Sequence, residues 1–184
     1  MNLRVVRAAM RSDADDELHL ARILILMRAL GGKNRKPVDG IMKLAKLDFL
    51  LRYPTFLERA LKATGKAPAL ADVQEHERTS IESKMIRFRY GPWDGRYRRW
   101  IAILFARGLA ETHVKGRTVF VGLTDAGARV ADALGERETL HDQKTRGEVL
   151  NRAFGSLSGT RLKEFIYATF PELTDLKWGE EIRP

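Results

Sequence analysis

Two short β-prone runs, Leu109 to Val114 and Thr118 to Leu123, flank the link Lys115-Gly116-Arg117. A tight, Gly-containing link between two such runs closes a hairpin, so the backbone has few alternatives here. The segment before it reads as a helix that opens at Asp94 or Gly95 and runs to Arg107, with Trp100, Ile101, Ile103, Leu104 and Phe105 apolar and Gly108 at its end. The segment after it, beginning Leu123-Thr124-Asp125-Ala126-Gly127, starts a further helix capped by Thr124 that carries Ala128, Val130, Ala131 and Leu134 as far as Gly135.

The rest of the chain is predominantly helical in pattern. A helix is expected from Asp13 to Leu30, its acidic residues in the first turn and Gly31-Gly32 stopping it. A second is expected from about Val38 to Arg52, closed by Tyr53-Pro54, and a third from Thr55, as its cap, to Ala63. The charged segment Asp72 to Phe88 also reads as helix, ending before the turn Tyr90-Gly91-Pro92-Trp93-Asp94-Gly95. Beyond Gly135 come a charged helix from Glu138 to Phe154, the break Gly155 to Gly159, and a helix from Thr160 to Phe170 ended by Pro171. The fold class expected is mainly α with a small β-hairpin. Residues 1–70 would form an N-terminal helical part of the core, 71–135 the hairpin-bearing segment and 136–184 a C-terminal helical extension, all within one unit, since 184 residues are too few for two large domains.

Composition narrows the function. The chain has no cysteine, which removes disulfides, thiolate metal sites and a thiol nucleophile, and fits a cytoplasmic protein. No export signal or membrane span is legible, because Arg22 and Arg28 bracket the most apolar run, Ile23 to Met27. The net charge is +9, and the stretch Arg78 to Arg117 holds ten basic against three acidic residues, so it carries +7 of that excess. Five of the fifteen aromatics, Phe88, Tyr90, Trp93, Tyr97 and Trp100, fall beside the same cations. Interleaved arginines and rings suit nucleic acid, and equally suit a protein interface.

A helix ending in Gly-Leu, followed by a hairpin tipped with Lys and Arg, is what a winged helix-turn-helix requires, with one helix in a major groove and the hairpin on neighbouring phosphates. Arg96, Arg98 and Arg99 then lie near the N-terminal end of the reading helix, Lys115 and Arg117 at the wing tip, and Arg87 and Arg89 extend the surface. Tyr90, Trp93 and Tyr97 are the candidate contacts to a protein partner. Ile101 to Glu111 followed by Val119 to Gly127 resembles the helix, Gly-Leu, wing and Leu-Thr-x-x-Gly pattern of MarR-like and PadR-like winged helices. The segments Lys43 to Pro54, Arg87 to Asp94 and Phe165 to Pro171 are similar to the small middle components of bacterial ABC-three-component antiphage defence systems. That resemblance implies a non-catalytic adaptor accompanying an SMC-like or Rad50-like ATPase and an effector. Two rivals stand beside it: a dimeric transcription regulator that pairs through its terminal helices, and an interaction module without DNA binding.

Blander readings compete at several positions. Trp93 and Trp100, near a helix start, suit core packing. His19, His76, His113 and His141 are scattered without metal-ligand spacing, and no cofactor is implied. Gly155 to Gly159 lacks the strand and serine position of a nucleophile elbow. Lys33, Asn34, Arg35 and Lys36 form either a second phosphate contact or a solvated loop.

Overall fold

The computed structural model describes residues 3–79, 84–89, 91–116 and 118–183, with side chains from Asp16 onward. It is mainly helical, with a small antiparallel sheet of three strands and a separate two-stranded hairpin.

The first helix, α1 (Leu3–Gly31), begins ten residues earlier than its acidic cluster suggested. No Gly or Pro interrupts residues 3–30, and Asp16 sits inside the helix for a different reason: it is buried and accepts a hydrogen bond from Trp100 Nε1 at 2.7 Å. The expected helix from Val38 divides into a two-residue strand, β1 (Val38–Asp39), and α2 (Ile41–Arg52), because Gly40 between them has φ 102° and cannot continue a helix. Next, α3 (Pro54–Ala63) starts on Pro54 at its first turn rather than on a Thr55 cap, since proline's missing N–H costs nothing there.

The expected helix from Asp72 to Phe88 is absent from the described residues. Two short 3₁₀ turns, Pro68–Ala71 and Glu75–Arg78, and the strand β2 (Ile86–Phe88) occupy the region. Asp72 between the turns has φ 45°, and the carbonyls of Ala71 and Asp72 accept hydrogen bonds from the buried Arg146 guanidinium instead of from a helix. Arg146 also pairs with Glu77 at 2.6 Å. The expected turn at Gly91-Pro92-Trp93 is a strand, β3 (Gly91–Trp93), antiparallel to β2 in the register Arg87 opposite Pro92.

The following elements agree closely with the sequence reading: α4 (Tyr97–Ala106), β4 (Ala110–Lys115), β5 (Thr118–Leu123) and α5 (Asp125–Gly135). Then come a 3₁₀ turn at Glu138–Leu140, α6 (His141–Phe154), α7 (Gly159–Thr169) capped by Ser158, and the unanticipated single turn α8 (Glu172–Asp175). The three-stranded sheet has the order β1-β5-β4, with Val38 opposite Val121 and His113 opposite Phe120.

One hydrophobic cluster runs through all three sequence segments, from Leu20 on α1 to Ile182 near the C-terminus. Leu140, Val149, Leu150, Phe154, Leu162, Ile166 and Phe170 are buried, and all but Leu140 belong to this cluster. Most of the apolar side of the C-terminal helices is thus used within the chain, with Phe165 and Tyr167 partly exposed. Among the described residues no helix is long and apolar enough to cross a membrane.

Candidate nucleic-acid interface

The site begins with how α4 is held. Its inner face, Tyr97, Trp100, Ile101 and Leu104, is buried. A chain of charged side chains then fixes its N-terminal end: Arg22 Nε to Asp48 Oδ1 at 2.7 Å, Asp48 Oδ2 to Arg52 Nε at 2.7 Å, and Arg52 Nη1 to Asp94 Oδ2 at 2.9 Å. Asp94 is also gripped by Arg96, 2.9 Å from Nη2 and 3.0 Å from its backbone N–H, which closes the turn that launches α4. Burial alone would raise the Asp94 carboxyl, but hydrogen bonds from Arg96 and Arg52 outweigh it and hold the group down to about 2. Breaking such a buried pair by removing one partner typically costs about 3–5 kcal/mol, so the position of α4 is strongly specified.

The hairpin is fixed at its base by the Gly-Leu and Leu-Thr-x-x-Gly residues. Gly108 takes φ 67° after the helix, and Leu109 N–H donates to Leu104 O at 2.9 Å. Thr124 Oγ1 donates to Gly108 O at 2.7 Å and accepts from Gly127 N–H at 3.0 Å, capping α5. A Cβ on Gly127 would collide with Leu109 O, so only glycine permits α5 to sit this close to the turn. The sequence pattern therefore welds α4, β4, β5 and α5 into one unit.

Beyond this base the hairpin stands away from the core. Every residue from Glu111 to Gly116 is exposed, and burial resumes only at Val121 on the return strand. Gly116, with φ 62°, turns the tip. Among the described residues Arg98 on α4, Arg107 at its end and Lys115 at the tip are exposed and have no acidic partner.

Comparison with protein-family models, with curated proteins and with solved structures finds no match.

The predicted residues divide on this geometry. Arg98 and Lys115 lie exposed on the helix and hairpin as expected, and Arg117 and Tyr90 fall outside the described residues. Arg99 is exposed but pairs with Asp16 at 2.5 Å, and Arg96 is committed to Asp94 while its guanidinium stands 4.8 Å from the Trp100 ring centroid. Arg87 is committed elsewhere: its Nη1 donates to Leu176 O at 2.8 Å, and its backbone pairs with Gly179 and Glu180 of the C-terminal tail. Arg89 is exposed one residue beyond β2.

Of the aromatic candidates for partner contact, Tyr97 is fully buried and Trp93 nearly so, their ring centroids 5.6 Å apart, which removes both from a docking surface. They serve the core because β3 feeds directly into α4 over α2, so that Trp93, Tyr97 and Trp100 pack in succession. Phe105, 57 % exposed on α4, and Val114, 70 % exposed on the hairpin, are apolar groups that do face solvent. Sequence periodicity placed Phe105 among the helix's apolar residues without revealing that it faces outward.

Two further features were not legible. Arg107 joins the exposed cations because the helix ends where the hairpin begins. Arg35, in the polar loop before β1, reaches Asp125 at the start of α5 and helps line an open cleft of about 640 Å³ with Gly108, Glu111, Thr124 and Arg129. Among the described residues no group of three or more side chains that could hold a metal ion occurs.

Proposed function

We propose that this chain is a winged-helix nucleic-acid-binding protein acting as a non-catalytic adaptor, which brings an ATPase partner of the SMC or Rad50 kind to DNA. The observation that carries the reading is the projection of the hairpin beyond the core beside α4, with Arg98, Arg107 and Lys115 exposed and unpaired among the described residues. The element order supports it: α1, β1 and α2 precede the reading helix α4, and β1 pairs with the return strand of the wing to give β1-β5-β4. The segment from α3 to β3 is then an insertion between the two helices of the helix-turn-helix. A net charge of +9 would draw the protein to a polyanion, and backbone contacts from three cations would give sequence-tolerant binding. The ATPase partner rests on the resemblance to three-component defence systems.

The exposed Phe105 and Val114 favour a second reading, in which the same face docks a protein. Binding to a random duplex over a salt series separates the two. Wild type is expected to bind with a steep salt dependence, and changing Arg98, Arg107 and Lys115 to Ala should lower the log–log slope by about 0.9 for each phosphate no longer neutralised. An unchanged slope, or no binding by wild type at low salt, would refute the nucleic-acid reading and leave the protein-docking one.

A further inference from the structure

No strand pairs with the outer edge of the hairpin among the described residues. In the order β1-β5-β4 the strand β4 lies at the margin of the sheet, and it is long, free of proline and exposed on both faces from Glu111 onward. Unpaired edges of this kind are templates for another strand. We infer that β4 pairs antiparallel with β4 of a second copy of this chain, centred on His113, to form a two-fold dimer with one continuous six-stranded sheet.

Backbone geometry restricts the register. Antiparallel ladders alternate hydrogen-bonded and non-bonded pairs. Leu109 O accepts from Thr124 N–H, so the bonded pairs that follow are Glu111 with Gly122, His113 with Phe120, and Lys115 with Thr118. The N–H and C=O groups of Thr112 and Val114 therefore point away from β5 and toward the open edge. A second β4 can bond only by matching its own Thr112 and Val114 to these groups. Three registers satisfy that condition: Thr112 on Thr112, Val114 on Val114, or each on the other.

Charge selects the third. With Thr112 opposite Val114, His113 faces its own copy and Glu111 faces Lys115, twice by symmetry. Within the strand β4 neither of the other registers places opposite charges across the seam: they set His113 opposite Glu111 or opposite Lys115. Among the described residues Glu111 and Lys115 lie opposite Gly122 and Thr118, so neither charge has a charged cross-strand partner there until a second copy arrives.

The same register covers exposed apolar surface. Val114 and Val119 face each other on the side of the hairpin that bears Val121, and they extend that apolar side past the end of the core. In the dimer each Val114 lies beside Thr112 of the second copy, giving rows Val119, Val114, Thr112, Val121 across the seam. On the opposite side His113 stacks flat on Phe120, with centroids 5.2 Å apart and planes 4° from parallel, which presents two level aromatic pairs side by side at the axis. The contact is isologous, as a two-fold interface must be. A single strand on each side makes it a small interface of the transient class.

This inference stands apart from the nucleic-acid reading. It uses main-chain groups of β4, and Lys115 is the one side chain that both employ. Sedimentation equilibrium of the full chain without nucleic acid tests it. Wild type is expected to pass reversibly from a 20.9 kDa monomer to twice that mass with rising concentration. Glu111→Lys puts like charges across both ends of the seam and should raise the dimer dissociation constant about tenfold. Glu111→Lys with Lys115→Glu restores complementarity and should return the constant to the wild-type value. Val114→Pro removes an outward N–H while leaving the bonds to β5, and should abolish the dimer with the circular dichroism of the monomer preserved. A wild type that stays monomeric, or a dimer indifferent to the charge reversal and its rescue, overturns the proposal.

Discussion

Lowering the pH from 7 to 5 should weaken the fold through a single residue, His19. Its side chain is 3 % exposed, its ring centroid stands 4.4 Å from that of Trp100, and among the described residues no group bonds Nδ1. Burial, followed by the neighbouring charges of Arg22, Arg52 and Arg96, drives the imidazole from 6.5 down to about 3. Between those values the unfolded chain binds a proton that the folded chain refuses, so stability rises with pH through this window and is lost as pH falls below 6.5. At pH 5 the unfolded imidazole is almost fully protonated and the folded one almost fully neutral. The difference of about 1.5 units below the unfolded value, at 1.36 kcal/mol each, amounts to about 2 kcal/mol. Asp48 and Asp94, whose carboxyls are held below their ordinary value of 3.8, contribute stability that is lost as pH falls below that value, beneath the interval from pH 7 to pH 5. The other three histidines are exposed. Urea denaturation of wild type and of His19→Phe at pH 7 and pH 5 isolates the effect, because Phe keeps a ring against Trp100 and cannot titrate. Wild type should lose about 2 kcal/mol more than the variant on acidification. Equal losses would show that His19 is not held neutral by its surroundings, and would refute the electrostatic picture of the core around α4.

Gly127→Ala forces a methyl against Leu109 O and should destabilise the chain by about 3 kcal/mol or more in the same assay, with Ala126→Gly as a control that leaves the contact intact. Lys46 is 2 % exposed, its Nζ donates to Met42 O at 3.1 Å, and burial, then the charge of Lys163, lowers it from 10.5 to about 8. Its charge is thus a cost fully present below pH 8 and relieved as pH rises toward 10.5, so Lys46→Met should stabilise the protein at pH 7 by up to about 3 kcal/mol, an advantage that fades by pH 10.5 in paired denaturation curves.

Where local chemistry decides, the sequence was readable. The hairpin, its Gly108 stop, the Thr124 cap and the following helix are specified by residues within a few positions of one another, and the structure has them within a residue of expectation. Distant groups decide the remainder. Residues 72–79 carry helix-forming charges, yet Arg146, some seventy positions away, takes the carbonyls that a helix would have used. Likewise β2 is a strand because β3 and the C-terminal tail pair with it on either side, through Trp93 and Glu180, and neither partner is visible in the local pattern of Ile86 to Phe88. Asp16 looks like an N-terminal helix acid and instead anchors Trp100 from 84 positions away.

The same distinction governs the basic stretch from Arg78 to Arg117. Counting charge along the chain treats its cations alike, but their partners arrive from elsewhere: Glu58 for Arg78, Glu181 for Lys84, Asp16 for Arg99, and the Leu176 carbonyl for Arg87. A guanidinium already held by a carboxylate must exchange that bond for a phosphate, with little net gain, whereas an exposed unpaired one makes the new contact at the cost of its hydration alone. On the proposed nucleic-acid reading, the sequence excess of +7 acts through the few cations that folding leaves unclaimed among the described residues, and Arg98, Arg107 and Lys115 are three of these, on contiguous elements around the α4–β4 turn. If duplex binding depended instead on Arg78, Lys84 and Arg87, the hairpin would not be a wing. Alanine replacement of those three, compared with the helix-and-hairpin set at one salt concentration, decides between a surface made by summed charge and one made by placement.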